Sequence, residues 1–253
     1  MTKTIAVAGK GGTGKTTIAG LIVRYIIDKR LGSVLAIDAD PSSNLNIVLG
    51  LPDATSVGDV REEMLTQVST GSMGQGISKQ DYLEYKISEA LVEGQGVDLL
   101  AMGRPEGPGC YCAANNMLRL IVDRLAREYD YVVIDNEAGL EHLSRRTTRD
   151  VDIMLIVSDP TMRGVVAAQR VLELINELKT GIGKAFLILN RVDDGLPPQL
   201  KEAIDKLGVD LVGVIPRDTM LADFDATGRP LAGLPDDSEA YKMIKEIAEK
   251  VGV

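Results

Sequence analysis

An α/β fold with a mostly parallel central sheet and helices on both faces is what this chain predicts. Short, almost continuously apolar runs rich in β-branched residues alternate with longer stretches of helical periodicity, the pattern of strands buried on both faces. The runs are "KTIAVAG" at 3–9, "SVLAID" at 33–38, "VDLLAM" at 97–102, "YVVID" at 131–135, "IMLIVSD" at 153–159, "AFLILN" at 185–190 and "LVGVIP" at 211–216. Apolar residues recur at helical spacing over 16–29, 115–128, 163–178 and 238–251. A third observation is the glycine-rich "GKGGTGKT" at 9–16, set between the first strand and the first helix.

Composition bounds what such a fold can do. Of 253 residues, 45% are hydrophobic and 26% charged, the balance of a globular protein, and one domain over 1–253 is expected because no Pro/Gly/Ser linker or internal repeat divides the chain. Acidic residues outnumber basic ones 37 to 28, a formal charge of −9, so neither nucleic acid nor an anionic membrane surface is expected as a partner. The apolar start has neither a basic leader nor a cleavage pattern, and no run is long enough to span a bilayer. A reducing, cytoplasmic compartment is the expectation.

The first strand leads into the Walker A spacing, with Gly9, Gly14, Lys15 and Thr16 in the required places. Between strand and helix, the amides of Gly11, Gly12, Thr13, Gly14, Lys15, Thr16 and Thr17 can turn inward on phosphates, Lys15 reaches the terminal phosphates and Thr16 ligates Mg²⁺. Lys10 is a second cation inside a tight loop, and a charge so placed calls for an anion supplied from elsewhere. The second strand ends in "DADPSSN" at 38–44, which carries Asp38, Asp40 and Asn44. Residues of about 53–94 show little pattern and are expected to be an excursion from the sheet, short helices around a mobile loop.

After the third strand comes "GPGCYC" at 107–112, which holds both cysteines of the chain. Gly107, Pro108 and Gly109 make the approach a loop, and the thiols stand at the start of a helix, where a thiolate is favoured. A disulfide between residues two apart is near the upper limit of reach. A pair of Cys110 and Cys112 near a two-fold axis would meet its copy, and four thiolates suit Ni²⁺ or Zn²⁺. The fourth strand runs into "VVIDNEAGLEH" at 132–142, with Asp135 at its buried end and His142, the single histidine, just after. His142 has three readings, a packed or capping residue, a further ligand, or a relay of nucleotide state, and it is left outside the metal set. Asn190 ends a later strand, and Pro216, Arg217 and Asp218 follow the last.

With Lys10 in "KGGTGKT", the chain resembles the deviant-Walker P-loop NTPases, which include MinD, ParA, the nitrogenase iron protein and ArsA. The resemblance implies a nucleotide-sandwich homodimer in which Lys10 reaches the partner's phosphates. It further implies that Asp40 activates the attacking water, that Asp38, Asp40, Asp135 and Thr16 serve Mg²⁺ with Asn44 helping to hold its waters, and that Gly139 senses the γ-phosphate. Asn190 would read the adenine edge, and Pro216 to Asp218 would close over the base. Lys10, Lys15 and Asp40 are then the catalytic residues. Cys-Tyr-Cys together with "EAGLEHL" closely resembles the CooC branch, ATPases that assist nickel insertion into carbon monoxide dehydrogenase. That resemblance implies an ATPase coupled to dimerisation and metal delivery, with ATP and Mg²⁺ as cofactors and nickel, or zinc at the same site, as metal. Three alternatives stand beside it: a spatial regulator resembling MinD or ParA, an iron–sulfur scaffold ATPase, and a chaperone for a related nickel enzyme such as acetyl-CoA synthase.

Overall fold

The fold is seen in a computed structural model that describes residues 2–42, 44–71, 78–103, 113–137, 150–178, 181–193 and 195–253. Strands β1 (Lys3–Gly9), β2 (Val34–Ala39), β3 (Val92–Glu93), β4 (Val97–Ala101), β5 (Tyr131–Asn136), β6 (Asp150–Ser158), β7 (Gly181–Val192) and β8 (Asp210–Pro216) form one sheet in the order β3-β4-β2-β5-β1-β6-β7-β8. Every pairing is parallel except that of β3, which runs antiparallel to β4 at the edge. The seven expected strands are present, β6 and β7 starting earlier than their apolar runs. The two residues of β3 are too few to show a period.

Because side chains alternate across a strand, each strand feeds two cores. Ile5 and Val7 join Val133, Leu155 and Ile188 on one face, under α1 (Lys15–Asp28) and α9 (Glu239–Val251), which supply Ile18, Ile22, Ile26, Tyr241, Ile244 and Ile247. Ala6 and Ala8 join Leu100, Ile134 and Met154 on the other. There the cover comes from α3 (Val57–Thr70), α4 (Lys79–Ala90), α5 (Ala113–Ala126), α6 (Met162–Leu178) and α7 (Pro198–Asp205). Two short helices, α2 (Leu45–Leu49) and α8 (Thr219–Thr227), sit at the turns.

The expectation for about 53–94 needs correcting: α3 is as long as α1, 14 residues, and α4 has 12. Each opens on a serine cap. Ser56 accepts from the Asp59 amide while Asp59 reaches back to the Ser56 amide, and Ser78 accepts from the Asp81 amide. Leu83 and Ile87 then bury against the sheet. The glycine- and serine-rich stretch 72–77 lies outside the described residues.

Helix α9 is the amphipathic C-terminal segment, and its apolar stripe is spent on α1 and β8. Tyr241, Ile244, Ile247 and Ala248 are buried. The Arg24 guanidinium lies 3.9 Å over the Tyr241 ring, and the Tyr241 hydroxyl donates to Asp28 at 2.5 Å. Arg24 also donates to the carbonyls of Leu231 and Leu234 and pairs with Asp236. Among the described residues, no helix is long and apolar enough to cross a membrane.

Candidate nucleotide-binding site

Parallel pairing brings the C-terminal ends of β1, β2, β5, β6 and β7 to one edge, where ligands of open α/β sheets bind. The loop after β1 can form because of its glycines. Gly9 has φ 148°, and a Cβ there would stand 2.1 Å from the Val157 carbonyl oxygen. Gly14, at φ 92°, is the left-handed N-cap of α1, and a Cβ on it would meet the Asn190 amide at 2.5 Å. No side chain caps α1 and no acidic residue stands in its first turn, so its positive end faces the loop uncompensated.

Inside the loop, three donors gather on one carbonyl. The Thr13 hydroxyl, the Thr13 amide and the Lys15 ammonium reach the Lys10 oxygen at 2.9, 3.4 and 3.4 Å. Lys15 and Thr13 are buried, whereas Lys10, Gly11 and Gly12 are exposed. Donors clustered on a neutral oxygen suit an incoming anion, for which they would exchange that carbonyl.

Thr16 donates its hydroxyl to Asp135 Oδ2 at 2.5 Å, joining the loop to the end of β5. Asp135 is buried and its Oδ1 has no partner. Burial pushes its carboxyl up to about 7, against the opposing pull of the Thr16 hydrogen bond and the Lys15 charge, with Asp38 and Asp40 adding to the rise. Asp38 lies beside it in the β2–β5 register. Its oxygens accept the amides of Asp40 at 3.1 Å and Leu45 at 3.0 Å, yet burial still holds it above the usual carboxylate range. Asp40 accepts the Ser42 amide at 2.8 Å. Asn44 is exposed and starts α2 without a side-chain cap. An empty carboxylate oxygen beside a hydroxyl is an all-oxygen donor set, and it fits Mg²⁺, which takes one or two carboxylates and fills its other positions with phosphate and water. Among the described residues no three or more His, Cys, Asp or Glu side chains gather closely enough to hold a metal ion by themselves.

The residues expected at the base stand together at the ends of β7 and β8. The buried amide of Asn190 donates to the Thr13 carbonyl at 2.8 Å, and its oxygen accepts the Arg191 amide at 3.0 Å, so it holds the loop. Pro216 pairs with Val192 at the end of β8, and Arg217 forms an exposed pair with Asp193 at 2.8 Å. Asp218 is a double cap. One oxygen accepts the amides of Met220 and Leu221 at the start of α8, the other the Ser238 hydroxyl and the Ala240 amide at the start of α9. Burial alone would raise its carboxyl, but these hydrogen bonds hold it below the usual range. Asp218 thereby ties the segment that follows β8 to the starts of α8 and α9.

Two residues at this edge escaped the sequence. Asn136, buried directly after Asp135, donates to the Val7 carbonyl at 3.0 Å and leaves Oδ1 without a partner. Its signal was a polar residue ending an apolar strand. Arg191 gave no signal, since its left-handed backbone is invisible in a sequence. Cys110, Cys112, Gly139 and His142 lie outside the described residues.

Residues 4–231 match the family described as the CobQ/CobB/MinD/ParA nucleotide binding domain. An uncharacterized ATP-binding protein of Methanocaldococcus jannaschii is 47% identical, the alignment covering 98% of this chain and 97% of the relative. The carbon monoxide dehydrogenase accessory protein CooC of Rhodospirillum rubrum is 31% identical, over 98% of this chain and 97% of its own. In fold, the septum site-determining protein MinD of Pyrococcus horikoshii, solved with Mg-ADP, superposes with a TM-score of 0.69 at 22% identity, over 100% of this chain and 96% of that one.

Proposed function

This chain belongs to the CobQ/CobB/MinD/ParA nucleotide-binding family, and from that premise we propose that it is an ATP-hydrolysing metallochaperone, working as a homodimer, that carries nickel to carbon monoxide dehydrogenase or a related nickel enzyme. The observation that carries the ATPase is the 2.5 Å contact of Thr16 with Asp135, which leaves a buried carboxylate oxygen empty beside a loop of convergent donors. Support for the cargo comes from the CooC relative and from the Cys-Tyr-Cys segment.

In this reading the loop amides and the end of α1 bind the phosphates, and Lys15 leaves the Lys10 carbonyl for them. Thr16 and Asp135, with Asp38 and Asp40 beside them, hold Mg²⁺, which when bound neutralises charge on the phosphates. A carboxylate oxygen of Asp40 accepts a proton from the attacking water. Lys10, exposed on the loop, reaches the partner's phosphates, and the Gly139 amide senses the γ-phosphate. Closing of the dimer brings Cys110 and Cys112 to their copies, so that four thiolates hold the cargo ion until hydrolysis parts them. Metal binding then differs between the two states, as coupling requires. Helix α9 is ill suited to be a membrane anchor, because its apolar stripe is buried against α1 and β8.

The test joins turnover to stoichiometry. Lys15→Ala should lose Mg-ATP hydrolysis, and Lys10→Ala should bind nucleotide yet fail to dimerise with ATP in sedimentation. Calorimetry should find one Ni²⁺ per two chains, lost in Cys110→Ser and Cys112→Ser. One ion per chain would overturn the shared site, and no capture of carbon monoxide dehydrogenase or a related nickel enzyme by the ATP-loaded protein would overturn the client.

A further inference from the structure

We infer that Arg191 is a positioning residue of the nucleotide site, one that sets the direction of the phosphate-loop amides by holding a loop carbonyl from outside. The inference rests on the nucleotide-binding reading above and deepens it.

In an extended strand successive side chains project to opposite faces, so Asn190 and Arg191 should not both reach the loop that follows β1. They do: Asn190 donates to the Thr13 carbonyl at 2.8 Å and Arg191 Nη1 to the Gly12 carbonyl at 3.0 Å. Two departures from strand geometry permit this. Arg191 has φ 61°, in the left-handed region that a non-glycine residue seldom enters. The register of β7 on β8 also shifts between Leu189 and Val192, and these two residues, three apart, join the same core cluster, so the alternation slips there. A bulge that re-aims a side chain beside a site is a recurrent use of such an irregularity, and backbone strain is retained where surrounding contacts enforce it.

The consequence for the loop follows from peptide planarity. A trans peptide sends its N–H opposite to its C=O, so whatever holds one aims the other. Arg191, on the Gly12 carbonyl, aims the Thr13 amide, and Asn190, on the Thr13 carbonyl, aims the Gly14 amide. The Thr13 amide is turned inward, onto the Lys10 oxygen at 3.4 Å, the same oxygen that Lys15 meets. The amides therefore converge before any phosphate arrives, and Arg191 serves the diphosphate and the triphosphate alike.

Calorimetric titration of the full-length protein with Mg-ADP and with a non-hydrolysable Mg-ATP analogue tests this, using Arg191→Ala, Arg191→Lys and Arg191→Gly. Removing a charged donor from a loop carbonyl should weaken both nucleotides about tenfold in the alanine variant, with lysine restoring part of the loss. In turnover the change should fall on KM more than on kcat. Arg191→Gly separates this role from a merely structural one: glycine accepts φ 61° without strain, so the nucleotide-free protein should melt no lower than wild type, yet bind as weakly as alanine. Alanine and glycine variants that bind within about twofold of wild type, or glycine alone restoring affinity, would overturn the role of the guanidinium, a loss of that size being too small for a charged hydrogen bond. Wild-type protein that binds neither nucleotide would overturn the ATPase reading itself.

Discussion

The face of the sheet that carries α1 and α9 differs from the face that carries α3, α4 and α5 in how its buried polar atoms are settled. On the first, Arg24 has two carbonyls, two carboxylates and an aromatic ring as partners, and Tyr241 beneath it spends its hydroxyl on Asp28. On the second, Arg61 Nε on α3 and Arg119 Nε on α5 are buried without a hydrogen-bond partner, whereas neither α1 nor α9 carries such an atom among the described residues, Asn46 Oδ1 on the short α2 being the one case near them. Large apolar side chains follow the same division. Leu65, Val68, Tyr85 and Leu120 stand exposed on α3, α4 and α5, and none does so on α1 or α9, although Ile47 and Met220 do on the short α2 and α8. The nucleotide loop is thus mounted on the settled face through α1, while the segment with the cysteine pair leads into α5 on the unsettled one. Rigidity is spent where amides must stay aimed.

Four substitutions test that contrast through stability in chemical denaturation. Tyr241→Ala, on the settled face, should cost about 3–5 kcal/mol, since it empties a buried aromatic site and leaves Arg24 without its ring. A loss below about 1 kcal/mol would mean the cluster is decoration.

Asp135→Asn probes the carboxylate of the nucleotide edge, one oxygen of which has no partner, in the metal-free protein. A carboxyl raised to about 7 by burial binds its proton more tightly folded than unfolded, so its contribution to stability is present below the unfolded pKa and is lost as pH rises to about 7. The asparagine variant should therefore gain on wild type between pH 5 and pH 8, on the order of 2 kcal/mol. An equal difference at both pH values would show that Asp135 does not titrate there.

Arg61→Met should lie within about 1 kcal/mol of wild type, because an arginine with an unmet buried nitrogen is nearly matched by an apolar side chain of similar volume. A cost above about 2 kcal/mol would show Arg61 fully paired in solution and remove it from the contrast. Leu120→Ser, exposed on α5, should move stability by less than about 0.5 kcal/mol.

The sequence disclosed whatever rested on period and spacing. The parallel strands showed as apolar runs because both their faces are covered, and the phosphate loop showed because its glycines and lysines are chemically irreplaceable. Helices α3 and α4 were underestimated because they are largely polar, although the serine-to-aspartate spacings at Ser56–Asp59 and Ser78–Asp81 were there to be read as caps. That Asp218 also caps two helices could not be read, because which donors a carboxylate meets depends on chain 20 residues away, at Ser238. Arg191 depends on a backbone twist that no residue type announces.

The pairing of β1 has a consequence for the order in which the molecule comes into being. Its partners are β5, where Lys3 stands opposite Tyr131, and β6, where Ile5 stands opposite Ile153. The phosphate loop is synthesised before either partner, and its strand has no neighbour on either side until the chain has grown past both. Its carbonyls wait longer still, for Asn190 and Arg191. Pairings so distant in sequence are slow to form and close late. During synthesis, binding of a nucleotide would accordingly report a chain whose sheet is already nearly complete.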